Sequence, residues 1–152
     1  MHGATHLTWG VCAGAATGAQ FGSEWHAIAL GAAVGGLAAL APDWLQINIP
    51  GASRQIKGAF GHRGFSHWLW TPLALAFLGR AIAPVSLVAA FLAGWVSHIL
   101  LDALADGVPA FWPFGRFTLA RVKTGGKLDR FIGGAGIVCS AFILWRVLWT
   151  SV

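Results

Sequence analysis

The sequence predicts an all-α protein, a polytopic bundle of four to five transmembrane helices forming one integral membrane domain over residues 1–152. Hydrophobic residues make up 57% of the chain and charged residues 10%, where a soluble globular domain carries about 25% charged residues. The apolar runs are long and continuous. Lipid cannot hydrogen-bond the backbone, so only helices and closed barrels span it, and barrel strands would alternate apolar with polar residues. A bundle is the architecture left.

Five apolar segments follow in order, at about residues 5–21, 25–41, 66–78, 85–105 and 131–149. The first carries Gly10, Gly14, Gly18 and Gly22, a stripe of small residues suited to close helix packing and offering a surface for oligomers. Carried backwards, the stripe reaches His6 and His2, so His6 faces the bundle interior. The third segment is short for a hydrocarbon core of about 30 Å, which needs about 20 residues. It is tilted, partly embedded, or continued through Ala83. Gly133-Gly134-Ala135-Gly136 lies inside the fifth segment with no preceding strand, so it reads as a packing surface and not a dinucleotide loop. Cys12 and Cys139 sit in apolar runs and suggest neither a disulfide nor a thiol site. No basic region precedes the first segment, so no cleaved signal peptide is expected.

The formal net charge is +5, but its distribution points away from nucleic acid. The loops at 42–65 and 107–130 hold eight of the ten Lys and Arg residues, leaving Arg80 and Arg146 toward the other side. By the positive-inside rule the loaded side is cytoplasmic, in a bacterial or archaeal cytoplasmic membrane. In the second loop Phe111, Trp112, Phe114 and Phe117 lie among basic residues, which suits the lipid headgroup region.

Within residues 94–106, His98, Asp102 and Asp106 recur at four-residue steps and so share one helix face. A His and an Asp one turn apart either form a bidentate platform for a metal such as zinc or satisfy each other by a buried hydrogen bond. Topology favours the metal. His6 begins the first segment, Asp43 ends the second, His67 begins the third, and His98, Asp102 and Asp106 close the fourth, all at one membrane face. His26 lies at the other. Gly61-His62-Arg63-Gly64-Phe65-Ser66-His67 adds a turn from which His62 and His67 can point at a common centre, with Arg63 suited to a phosphate or carboxylate.

Thr5-His6 with Gly10, Pro42-Asp43, His62-Arg63-Gly64 with Ser66-His67, Ser97-His98 with Leu101-Asp102, Gly107 and Trp112-Pro113-Phe114 together resemble the membrane-bound metal-dependent hydrolases of the YdjM type. The order and spacing of these motifs carry the resemblance, and the His and Asp pattern is similar to that of zinc-dependent phospholipase C enzymes. The resemblance implies His6, Asp43, His62, His67, His98 and Asp102 as metal ligands for one or two divalent ions, most simply zinc. Two positions depart from the family pattern: Leu45 stands where a second acid often follows Pro-Asp, and Trp68 where a small hydroxyl residue often follows the second histidine.

Six such residues exceed the three protein ligands and a water of a catalytic zinc. Two metals, or one metal with carboxylates such as Asp43 left for base chemistry, account for the surplus: Asp102 or Asp43 takes the bridging or ligand role, Asp106 a supporting or general-base role, and Arg63 holds the substrate anion. The expected reaction is hydrolysis of an amphipathic, phosphate-bearing substrate such as a phospholipid, a polyprenyl phosphate or another lipid phosphoester, with membrane lipids as partners and no nucleic acid. The rival is a non-enzymatic protein that uses the His/Asp cluster as an ion or proton path. No Gly-x-Ser-x-Gly nucleophile elbow surrounds Ser66 or Ser97.

Overall fold

A computed structural model describes residues 1–22, 24–45, 61 and 63–150. These residues form five helices and a short 3-10 turn: α1 (Gly3–Phe21), α2 (Trp25–Trp44), the turn Phe65–His67, α3 (Trp70–Gly79), α4 (Val85–Ala105) and α5 (Lys127–Thr150). Three of them, over Trp25–Trp44, Val85–Ala105 and Lys127–Val147, are long and apolar enough to cross a membrane. The helical membrane bundle expected from composition is the fold observed.

Glycine sets its centre. α1 and α2 form a tight antiparallel pair in which Gly10 and Gly14 lie on Gly35, Gly14 on Gly31, and Gly18 on Ala27 and Ile28. α4 enters the same seam, so that a Cβ on Gly94 would collide with the carbonyl of Gly35. In lipid, where apolar burial gives helices no reason to associate, this close backbone approach is the source of packing energy. The α1 stripe is thus occupied by α2 of the same chain, and the surface expected to serve oligomers is used internally. α5 packs on the outer side of α1 through Gly133 and Gly136, against Thr5, Thr8 and Trp9. Its far face leaves Val138, Phe142 and Trp145 exposed, as a lipid-facing helix should.

Several boundaries differ from the hydropathy reading. α2 runs through Pro42 to Trp44, which puts Asp43 on a rigid helix rather than in a loop. α5 starts at Lys127, before the apolar run, because Asp129 in its first turn accepts the Gly125 N–H at 2.7 Å. A carboxylate at a helix N-terminus is favourable there. The same carboxylate accepts from Thr5 Oγ1 at 2.7 Å and from the His2 N–H at 3.1 Å, tying the starts of α1 and α5 together. The third segment divides into the 3-10 turn and a helix of ten residues, about 15 Å long at 1.5 Å per residue and half the hydrocarbon thickness. Its flanking turns supply the rest of the path back to α4.

α4 ends at Asp106, where Gly107 takes a positive φ of 79° and returns its N–H to the Asp102 carbonyl at 3.0 Å, a glycine-terminated stop. The following loop folds under that end: Val108 pairs with Phe117, Leu119 N–H reaches Ala103, and Val122 N–H reaches Leu104. Trp112 stacks on Trp68, while Phe114 remains 86% exposed. The two cysteines, Cys12 on α1 and Cys139 on α5, are free thiols, as their sequence context suggested.

Candidate metal centre

The antiparallel helices deliver polar side chains to one end of an otherwise apolar bundle: His6 from the first turn of α1, Asp43 from the last turn of α2, His67 from the end of the 3-10 turn, and His98 and Asp102 from α4. His6, His67 and His98 are fully buried, and Asp102 is 2% exposed. A buried carboxylate and three imidazoles in such a place need partners, because unpaired polar atoms there are costly.

Their atoms converge. His67 Nε2 lies 3.0 Å from His98 Nε2. Asp43 Oδ1 is 3.8 Å from the former and 3.7 Å from the latter, and Asp102 Oδ2 is 3.6 and 3.9 Å from the same two nitrogens. Tetrahedral zinc with bonds of about 2.0–2.1 Å sets its ligands about 3.3–3.4 Å apart, and His67, His98 and Asp102 form a trio whose candidate ligand atoms lie within 4.8 Å of one another. His6 stacks on His98 with ring centroids 3.9 Å apart. Its Nε2 is 3.2 Å from Asp102 Oδ1, at ion-pair distance but without the alignment of a hydrogen bond. Both His6 nitrogens are buried and make no hydrogen bond among the described residues, so His6 is also open to an ion shared with Asp43 and His98, a trio whose candidate atoms lie within 4.8 Å of one another.

The surroundings orient these groups. His98 Nδ1 is 2.7 Å from the Ala39 carbonyl. A carbonyl only accepts, so Nδ1 carries the proton and Nε2 offers its lone pair to the cluster, the arrangement typical of a metal-ligating histidine. Asp102 Oδ2 accepts from Arg63 Nε at 2.9 Å, and Oδ1 lies 2.6 Å from the Met1 amino nitrogen. Arg63 reaches this position from a left-handed backbone, φ 59°, a conformation uncommon outside glycine and one that concentrates at functional sites.

Of the residues singled out in the sequence, His6, Asp43, His67, His98 and Asp102 come together. Asp106 does not enter the cluster: its side chain is 66% exposed and, among the described residues, is joined to it through Arg63 Nη1, at 3.0 Å. The reason is the end of α4, where the Gly107 stop leaves Asp106 as the capping residue. Arg63 is 11% exposed and pairs with both carboxylates. His62 lies outside the described residues. His26 is at the other end of the bundle beside Glu24. Two contributors carried no assigned role in the sequence reading: Ser66, whose Oγ is 3.0 Å from His67 Nδ1, and Trp95, whose Nε1 donates to the Ser66 carbonyl at 3.0 Å. A hydroxyl adjoining a ligand-type histidine, and a tryptophan one turn before another, were the available signals.

The fold and the site define a helical integral membrane protein with a buried His/Asp cluster at one end. Residues 1–151 match the model of the YdjM inner membrane protein family, and the chain belongs to that family. It is 37% identical to the inner membrane protein YdjM of Escherichia coli over 105 residues, which cover 62% of this chain and 50% of that protein. An equal match is found to YdjM of Shigella flexneri. The chain thus spans about half the length of these curated relatives. YvsG of Bacillus subtilis is 30% identical over 121 residues, 74% of each chain. No solved structure matches. A place in a bacterial inner membrane fits both the family and the three bilayer-length apolar helices.

Proposed function

We propose that this protein is a membrane-embedded metal-dependent hydrolase that cleaves a phosphoester of a lipid or another amphipathic substrate. The observation that carries this reading is the meeting of two overlapping trios, His67–His98–Asp102 and His6–Asp43–His98, at one end of an apolar bundle, each with its ligand atoms within 4.8 Å of one another. These residues hold the ion, zinc by its N and O donors. A divalent ion so held supplies Lewis acidity and a water that ionises near neutral pH. Arg63, beside the cluster at the membrane boundary, binds the phosphate of the substrate, and Asp106 steers its guanidinium. By the positive-inside rule the basic residues flanking this end support a cytoplasmic position for it. The exposed Phe111, Trp112 and Phe114 seat the loop among headgroups.

An ion path through the membrane is less well supported, because next to the cluster the seam between α2 and α4 closes on Gly35 against Gly94, with no space even for a Cβ. Purified protein in lipid nanodiscs, loaded with zinc, is expected to release phosphate or a phosphorylated headgroup from lipids. His98→Ala is expected to lose both the zinc and the activity while staying folded. Wild-type protein that binds zinc and leaves phospholipids and polyprenyl phosphates intact, or that moves zinc or protons across liposomes, would overturn the hydrolase reading.

A further inference from the structure

Away from the His/Asp cluster, a cleft of about 500 Å³ runs between the starts of α1 and α5, a volume within the usual range for small-molecule sites. Its lining changes character along its length. His2, Asp129 and Arg130 stand at the polar end, and Gly133, Gly134 and Ile137 continue the cleft down α5. From Asp129 to Ile137 the helix rises about 12 Å at 1.5 Å per residue. None of the clustered residues His6, Asp43, His67, His98 and Asp102 lines it.

The charge that the cleft presents is positive. Of the five acids in the chain only Asp129 lines it, and Asp129 is 1% exposed with both oxygens occupied. Oδ1 accepts from Thr5 Oγ1 at 2.7 Å, and Oδ2 accepts from the N–H groups of His2 at 3.1 Å and Gly125 at 2.7 Å. Arg130 is exposed and makes no ion pair among the described residues. Lys123 and Lys127 are exposed nearby in the chain, and α1 and α5 both begin at this end, so the positive ends of two helix dipoles add to the field. Depth then selects the ligand. Arg130 is the last charged residue before the apolar run that starts at Phe131, which puts its guanidinium at headgroup level. Below it, Gly133 and Gly134 leave the wall without side chains, and Ile137 is exposed on the lipid-facing side. A free anion would leave this apolar length unused. A cation over an apolar channel, between helices on the side that the basic loops support as cytoplasmic, suits an anionic lipid.

We propose that the cleft between α1 and α5 binds one anionic phospholipid of the cytoplasmic leaflet, its phosphate on Arg130 and one acyl chain along Gly133, Gly134 and Ile137. The site needs neither an ion in the cluster nor hydrolysis. Native mass spectrometry of the full chain in detergent micelles tests it, with dioleoylphosphatidylglycerol, dioleoylphosphatidylcholine and inorganic phosphate as probes. Wild-type protein is expected to retain one phosphatidylglycerol at concentrations that leave it nearly free of phosphatidylcholine, with or without a metal chelator. Arg130→Gln is expected to weaken phosphatidylglycerol binding about fivefold, the effect of one cation on an anionic lipid. Arg80→Gln, which removes an exposed charge at the opposite end of the bundle, is expected to leave it unchanged. Nothing lies within 4 Å of a Cβ at Gly134, so Gly134→Leu fills the cleft without meeting the protein and is expected to weaken binding whatever the headgroup charge. Circular dichroism checks that the variants are folded; for one that is not, the wild-type comparison of the two lipids decides. Equal retention of both lipids, equal losses in Arg130→Gln and Arg80→Gln, or undiminished binding in a folded Gly134→Leu overturns the inference. Inorganic phosphate that displaces the phosphatidylglycerol also overturns it, since the cleft is then a site for a free anion.

Discussion

Gly94→Ala tests whether the helix seam and the His/Asp cluster are one mechanical unit. A Cβ at this position would meet the carbonyl carbon and the Cα of Gly35 at 2.7 Å, and its carbonyl oxygen closer still. Carbon atoms rest at about 3.5–4.0 Å, so α4 must withdraw from α2 by roughly an ångström. Gly35 cannot yield, because its other side is set against Gly10 and Gly14 of α1. Overpacking of this kind costs about 1–3 kcal/mol, and the better helix propensity of Ala returns about 0.8–1.0 kcal/mol. With only backbone atoms in the way, the cost belongs in the upper half of its range, for a net loss of about 1–2 kcal/mol. The same withdrawal lengthens the 2.7 Å contact of His98 Nδ1 with Ala39 and the 3.7 Å approach of His98 to Asp43, both of which bridge α2 and α4. Zinc affinity should fall about 10–100-fold. Thermal unfolding in detergent and calorimetric zinc titration read the two effects, with Gly134→Ala as control. Nothing lies within 4 Å of a Cβ at Gly134, so that variant should gain about 0.5–1 kcal/mol. If Gly94→Ala unfolds no earlier than wild type and binds zinc as tightly, the proposed coupling between seam and site is wrong.

Other substitutions separate the roles within the site. Asp106→Asn removes an exposed partner of Arg63 worth about 0–1 kcal/mol, so zinc titration should give nearly the wild-type affinity while lipid hydrolysis slows. Asp102→Asn should cost zinc affinity more than the roughly 10–100-fold of a lost orienting contact, since Asp102 Oδ2 is within 3.6 Å of His67 Nε2 and 3.9 Å of His98 Nε2. Asp129→Ala strands three donors, Thr5 Oγ1 and the N–H groups of His2 and Gly125. It should lower stability by about 1–3 kcal/mol, seen as an earlier unfolding midpoint, with zinc stoichiometry unchanged by metal analysis.

Much of this organisation was legible in the sequence for a physical reason: in a membrane an ionisable side chain is expensive wherever it has no partner. His98 and Asp102, four residues apart in an apolar run, therefore stood out, and counting segment ends put His6, Asp43 and His67 at the same membrane face. Hydropathy was blind where polar residues belong to helices. It stopped α2 at Ala41, although a proline is tolerated near the end of this helix and Asp43 follows it. It began α5 at Phe131, although Asp129 caps the helix from within its first turn. It also could not show that the third segment divides, since a 3-10 turn stapled through Leu69 to Ala110 and through Ser66 to Trp95 is a tertiary arrangement.

Asp106 marks the edge of what periodicity can read. Spacing put it on the face of His98 and Asp102, and for an unbroken helix that follows. Gly107, however, ends the helix at once, and a terminal residue points where the cap geometry sends it, here outward to Arg63. The glycine stripe correctly marked a close helix contact and left open which helix makes it. Small residues at four-residue steps specify a close helix contact but not whose helix makes it, and Gly31 and Gly35 on α2 supply a complementary stripe within the chain. Gly35 touches both α1 and α4, so the three helices that carry His6, Asp43, His98 and Asp102 cross with their backbones in contact just inside the cluster. Side chains rooted that close to a rigid crossing have little freedom to spread. The small residues that hold the bundle together therefore also hold the spacing of the His and Asp groups in the candidate site.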